Sequence, residues 1–211
     1  MFSRFSHLLL GLIFFPLMAC AAGQDQYQDG VHYITLPEPV ATQTGDNVEV
    51  AEIFWYGCGH CYTFEPLVNQ WEKSLPEGVE LVKSPAMWNA PMKIHAQMFY
   101  AAEALGVFKK VHQNLFNAMH VERKRLMDAD EIYPYFEDAG VSRADFDKTF
   151  KSFKVSSDVR RADARARSYK ITGTPEMVVN GKYRISARMT GSQANMLKVA
   201  RYLVDKELAA K

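Results

Sequence analysis

The chain has 211 residues, 48% of them apolar and 12% aromatic, which is enough to bury an ordinary core and lies outside the composition of disordered chains. Its 25 basic residues nearly balance its 24 acidic ones, so net charge offers nothing to draw in nucleic acid, and no nucleic-acid partner is expected.

At the N-terminus, Arg4 and the apolar run Leu8–Met18, closing on Ala19-Cys20-Ala21-Ala22, have the layout of an export signal. The run is shorter than the roughly 18–20 residues of a membrane span and contains Pro16. Two processing sites compete. An Ala-x-Ala site would release residues 1–21; a lipoprotein-type site would remove residues 1–19 and leave a lipidated Cys20 as an anchor. The first is preferred because Met18 is unusual in the lipoprotein pattern. It leaves two cysteines, Cys58 and Cys61, in a chain bound for an oxidising compartment.

Residues 24–48 are rich in turn formers and hold one short apolar stretch, Val31–Leu36, expected as an edge strand. Val48–Tyr56 is a dense apolar and β-branched run, expected as a strand buried on both faces. From Cys58, apolar residues Phe64, Leu67, Val68, Trp71 and Leu75 recur at helical spacing until Pro76 and Gly78, with Pro66 expected to kink the helix. Val79–Lys83 reads as a second strand. Helical patterns follow over Lys93–Leu105, Val107–Met119, Ala129–Ala139 and Arg143–Phe153, with Gly106 and Gly140 as stops. Ser142 and Asp145 resemble a capping box. A further helix is expected over Ser157–Lys170. Two short strand runs around Asn180-Gly181 then predict a β-hairpin, and Gln193–Leu208 predicts a closing amphipathic helix. The order describes an α/β layer plan with an all-helical insertion. It divides into residues 22–84 and 156–211 around an inserted helical domain at 85–155.

The tetrapeptide Cys58-Gly59-His60-Cys61 carries the chemistry. A disulfide closing so short a loop removes little chain entropy, so a structural staple is a poor explanation. At the first turn of a helix, Cys58 faces unpaired N–H groups and the positive end of the dipole, which favour its thiolate. His60 adds a donor and a potential charge, so the Cys58 pKa should be depressed, with Cys61 the more buried partner. Stabilising that thiolate stabilises the reduced pair and makes the disulfide a stronger oxidant. A zinc site would need four ligands, and no second Cys pair is present; c-type haem attachment needs His where Tyr62 stands. No metal and no cofactor are expected.

The segments Tyr27-Gln28-Asp29-Gly30, Tyr33, Glu52-Ile53-Phe54-Trp55-Tyr56, Cys58-Gly59-His60-Cys61-Tyr62-x-Phe64-Glu65 and Leu75-Pro76-Glu77-Gly78-Val79 resemble the DsbA family of periplasmic disulfide oxidases. Gly173-Thr174-Pro175 before Val178-Val179-Asn180-Gly181-Lys182-Tyr183 is similar to the family's second signature. The resemblance implies a thioredoxin fold with an inserted all-helical domain. It implies a monomeric periplasmic enzyme that passes a disulfide to reduced, cysteine-containing exported proteins and is reoxidised by a DsbB-type membrane oxidase. It makes Pro175 a cis-proline beside the cysteines, where it and the Thr174 backbone align the substrate. It makes Glu52 a buried acid serving proton movement at Cys61, with Lys83 and Glu65 as neighbours. Gly59 stands where the best-known members carry proline, and the resulting Cys-Gly-His-Cys resembles the protein disulfide isomerases. A reductase or isomerase using the same cysteines, and a chaperone in which they are incidental, are the competing readings.

Two further features invite a functional reading. Met177, two residues after Pro175, is a candidate for an adaptable substrate groove. Arg160, Arg161, Arg165, Arg167 and Lys170, interleaved with Asp158 and Asp163, are expected as a solvated helix face with local ion pairs.

Overall fold

The computed structural model describes residues 26–211, so the expected export signal and Cys20 lie outside the described residues. A lead-in carries the two-residue strand β1 (Ile34–Thr35). Then β2 (Val48–Phe54) runs into α1 (Gly59–Glu72) and β3 (Val79–Pro85). Five helices follow: α2 (Ala90–Ala104), α3 (Phe108–His120), α4 (Ala129–Glu137), α5 (Arg143–Phe150) and α6 (Phe153–Ser168). The chain closes with β4 (Glu176–Val179), β5 (Tyr183–Ser186), α7 (Ala187–Thr190) and α8 (Gln193–Ala209). The strands form one sheet in the order β1-β5-β4-β2-β3, with β2 parallel to β3 and antiparallel to β4. The expected edge strand is therefore present, as β1 on β5.

Every residue of β2 is buried, which is why it shows no polar alternation. Its period-two geometry sends side chains into two cores. Val48 and Val50 pack with Met177, Val179, Phe64 and Val68 beneath α1 and α8. Ala51 and Ile53 join Val178 and the helical block in the larger core. Phe54, at the strand's end, ties the block to the sheet through edge contacts with Phe99 and His112 and a tilted contact with Phe116.

The differences from expectation are local. Helix α5 stops at Phe150 and α6 begins at Phe153, because Ser152 turns extended and its side chain accepts the Val155 N–H at 3.2 Å. The apolar spacing predicts the first helix to Phe153 and the next from Ser157, a few residues later than the observed break. Helix α1 runs from Gly59 to Glu72 with Pro66 inside it. The single turn α7 had no periodic signal to announce it. Elsewhere the turn chemistry is as read: Ser142 accepts the Asp145 N–H at 3.1 Å, and Asn180 and Gly181 both take positive φ, 49° and 63°. Gly181 is also held by space, since a Cβ there would strike the Val40 carbonyl.

Candidate active site

The end of β2 turns sharply, with the Cys58 N–H bonded to the Trp55 carbonyl at 3.0 Å, and delivers Cys58 as the residue capping α1. Cys58 is half-buried and Cys61 fully buried, and both are free thiols. The two sulfurs have opposite acidities. A hydrogen bond from the Cys61 thiol, another from Thr174 and the main-chain N–H groups of Cys61 and His60 lower the Cys58 pKa to about 5, against the opposing effect of burial. Burial pushes the Cys61 thiol far up, and its bond to Cys58 and the charge of that thiolate push the same way. The imidazole of His60 is exposed; what His60 supplies to the sulfur is its main-chain N–H, a contribution that residue type alone does not reveal.

Across from Cys58 lies the loop 172–175. The Cys58 Sγ is 3.3 Å from the Thr174 carbonyl oxygen, and the Thr174–Pro175 bond is cis. Glu176 braces this loop. Its Oε1 accepts the Thr172 N–H at 3.3 Å and the Thr172 hydroxyl at 3.1 Å, and the Gly173 N–H also serves its carboxylate. A groove of about 680 Å³ opens along this loop, lined by His60, Thr174, Pro175, Glu176, Arg188 and Gln193. Met177 does not reach it. Its register opposite Glu52 turns the side chain into the core under α1 and α8, where it has no exposed surface, and β2 and β5 pair with it on both sides. The expected groove role of Met177 is withdrawn on that ground.

Glu52 is fully buried and lies directly beside Lys83 in the β2–β3 register. The Lys83 Nζ is 2.6 Å from Glu52 Oε2 and 3.1 Å from Glu65 Oε2. His112 Nε2 stands 3.2 Å from Glu65 Oε1, and the Tyr56 hydroxyl is 2.7 Å from His112 Nδ1. Burial lowers the His112 pKa and raises that of Tyr56, favouring the neutral form of each. For Glu65 the burial effect is outweighed by His112 and Lys83, and its pKa falls to about 2. Burial, reinforced by Glu65, raises the Glu52 carboxyl above the usual range despite Lys83, and Glu52 Oε1 has no hydrogen-bond partner. The sequence had joined Glu52, Lys83 and Glu65 but not Tyr56 or His112. The one available signal was a polar His112 among the apolar Val111, Leu115 and Phe116 of α3.

Among the described residues, no group of three or more His, Cys, Asp or Glu is placed to hold a metal ion, and no helix is long and apolar enough to cross a membrane. The site is thus a thiol pair with split acidities, a carbonyl at the outer sulfur and a buried charge network.

The profile of the DSBA-like thioredoxin domain matches residues 77–201. The thiol:disulfide interchange protein DsbA of Pseudomonas aeruginosa is 40% identical over 194 residues, which is 92% of each chain. The chain belongs to the DsbA family. The DsbA of Azotobacter vinelandii is 41% identical over 181 residues, 86% of this chain and 85% of that one. The crystal structure of Pseudomonas aeruginosa DsbA superposes with a TM-score of 0.84 at 40% identity, covering 88% of this chain and 97% of that one. As a DsbA-family protein it is a thiol-disulfide oxidoreductase, built on the thioredoxin fold with a helical domain inserted between β3 and β4.

Proposed function

We propose that the protein donates a Cys58–Cys61 disulfide to reduced, cysteine-containing exported polypeptides in the periplasm, and that a DsbB-type membrane oxidase then restores it. The observation that carries this reading is the opposed acidity of the two thiols at the start of α1. A client thiolate attacks Cys58 Sγ, the Cys58–Cys61 bond breaks, and Cys61 leaves with the electron pair and takes up a proton. A second client thiolate attacks the client sulfur of the mixed disulfide and Cys58 departs as its stabilised thiolate. The client has lost two electrons and the enzyme is reduced.

In this scheme Cys58 and Cys61 exchange bonds, and His60 steadies Cys58 through its main chain. Glu52 supplies or removes the proton of Cys61. Thr174 and Pro175 align the client as an added strand. Residues 22–84 and 156–211 form the thioredoxin-like part and 85–155 the helical domain; residues 1–21 are a signal removed on export, with lipidation of Cys20 the alternative. A reductase or isomerase with the same cysteines is the second reading, and the isomerase-like Gly59 favours it.

The deciding experiment equilibrates the protein in glutathione buffers and reads the Cys58–Cys61 pair by thiol trapping and mass. A potential near about −180 mV or more oxidising supports donation, whereas one near the thioredoxin value of about −270 mV overturns it in favour of a reductase. In a Cys61→Ser variant offered disulfide-bonded client peptides, the Cys58 thiolate should attack the client disulfide, expel one client thiolate and accumulate as a mixed disulfide, because no second enzyme thiol resolves it; its absence would make the cysteines incidental.

A further inference from the structure

Residues 151–167 contain six basic side chains, Lys151, Lys154, Arg160, Arg161, Arg165 and Arg167, against two acidic ones, Asp158 and Asp163. Both acids are engaged: Asp158 by Lys154 at 2.8 Å and by Arg161, and Asp163 by Arg167 at 3.0 Å. The expected ion pairs on α6 are therefore present, but they leave a local excess of positive charge on a protein whose net charge is only +1.

The structure adds two aromatic rings to this face. Phe153 is 80% exposed at the start of α6, and Trp88, between β3 and α2, is 53% exposed. Phe153, Arg160 and Arg167 recur every seven residues, so they form one stripe along the helix. The Arg160 guanidinium sits 5.6 Å above the Phe153 ring. A shallow depression of about 280 Å³ is lined by Trp88 and Met87, the cations Lys93, Arg160 and Arg167, and the Asp163 that Arg167 pairs. The rings and cations are thus one continuous surface, in which three cations outnumber the single acid.

We infer that this surface, formed by α6 and the β3–α2 turn, docks the protein on an anionic lipid bilayer. Trp beside basic side chains suits the headgroup layer, where rings lie at the depth of the glycerol backbone and cations meet phosphates. Phe153 projects as a knob rather than lining a recessed pocket of the kind that anchors protein partners. The topology orients the contact. Parallel β2 and β3 end at the same edge of the sheet, and Cys58 follows one end as Trp88 follows the other. Docking through Trp88 therefore holds the cysteine end of the sheet near the membrane. This inference is independent of the direction of disulfide transfer, because its test reads lipid binding.

The test uses the processed chain, residues 22–211, which lacks both the apolar run Leu8–Met18 and Cys20, so that neither the signal nor an acyl chain contributes. Protein is sedimented with vesicles of phosphatidylcholine alone or containing about one third phosphatidylglycerol. Binding is expected to the anionic vesicles only, and to vanish at about 0.5 M salt as screening shortens the reach of the cations. Phe153→Ser with Arg160→Gln should weaken it by about tenfold or more, with melting temperature and thiol exchange unchanged. Trp88→Ser should weaken binding independently, so the test stands if the first variant loses its fold. Equal binding to both vesicle types, unchanged binding of the variants, or binding of a polyglutamate peptide at this face without vesicle binding would each overturn the inference.

Discussion

Strand β2 buries one glutamate on each face, and the two are held in different ways. Glu49 faces the helical block, where its Oε2 accepts the Gln43 N–H at 2.6 Å and its Oε1 the Tyr169 hydroxyl at 3.2 Å. Both oxygens are satisfied, and the donors come from the lead-in and the chain after α6, so the residue ties distant segments together. Glu52 faces α1, shares Lys83 with Glu65, and leaves one oxygen without a partner. A closed set of donors holds a carboxylate as a fixture, whereas a set one donor short lets it change state at modest cost. The second arrangement is the one that lies on the cysteine helix's side of the sheet.

Substitutions can sharpen or break this contrast. The largest effect is expected from Lys83→Met, which strips two buried carboxylates of their cation and should cost about 3–5 kcal/mol in urea unfolding. If it costs less than Glu49→Ala, the contrast fails. Glu49→Ala should cost about 2–3 kcal/mol, because it leaves the Gln43 amide and the Tyr169 hydroxyl unpaired, while the Cys58 thiolate absorbance titrates as before.

Acid titration should give about 1–2 kcal/mol. Glu65 has its pKa lowered from 4.5 to about 2, so its contribution is present above 4.5 and is lost as pH falls toward 2. Glu52 has its pKa raised, so the native state retains a proton that the unfolded chain releases, and stability falls as pH rises through the folded value. Glu65→Gln should flatten the acid limb of the stability curve and Glu52→Gln the opposite one. The smallest effect is Glu52→Gln at neutral pH, under about 1 kcal/mol because Glu65 still faces Lys83. That same variant should displace the pH dependence of disulfide transfer, and an unmoved profile would reduce Glu52 to a second fixture.

Much of this was legible from residues. The double-faced strand, the helix opened by Cys58 and the Asn180-Gly181 hairpin all rest on local chemistry. The break at Ser152 was hidden because Phe150 and Phe153 continue a helical spacing across it, although Phe153 turns outward. Met177 was misplaced by counting its distance from Pro175 instead of its strand parity, which puts it on the side of Val179. The Tyr56–His112 bond was out of reach, since only the docking of α3 onto the sheet brings together residues 56 positions apart. His60 shows the complementary limit: its residue type points to the imidazole, whereas the group that lowers the Cys58 pKa is its backbone N–H.

The brace on the loop before β4 bears on how long a client stays. Glu176 takes the amides of Thr172 and Gly173, Pro175 has none, and β4 itself is paired on both sides. That leaves the Thr174 amide in residues 172–175, so in the proposed reaction an incoming polypeptide gains a single rung of backbone pairing beside Cys58. On the proposed function, so small a footprint makes little demand on client sequence, and it lets the released polypeptide leave quickly. In the proposed reaction the transient covalent bond, rather than the groove, then supplies the residence time.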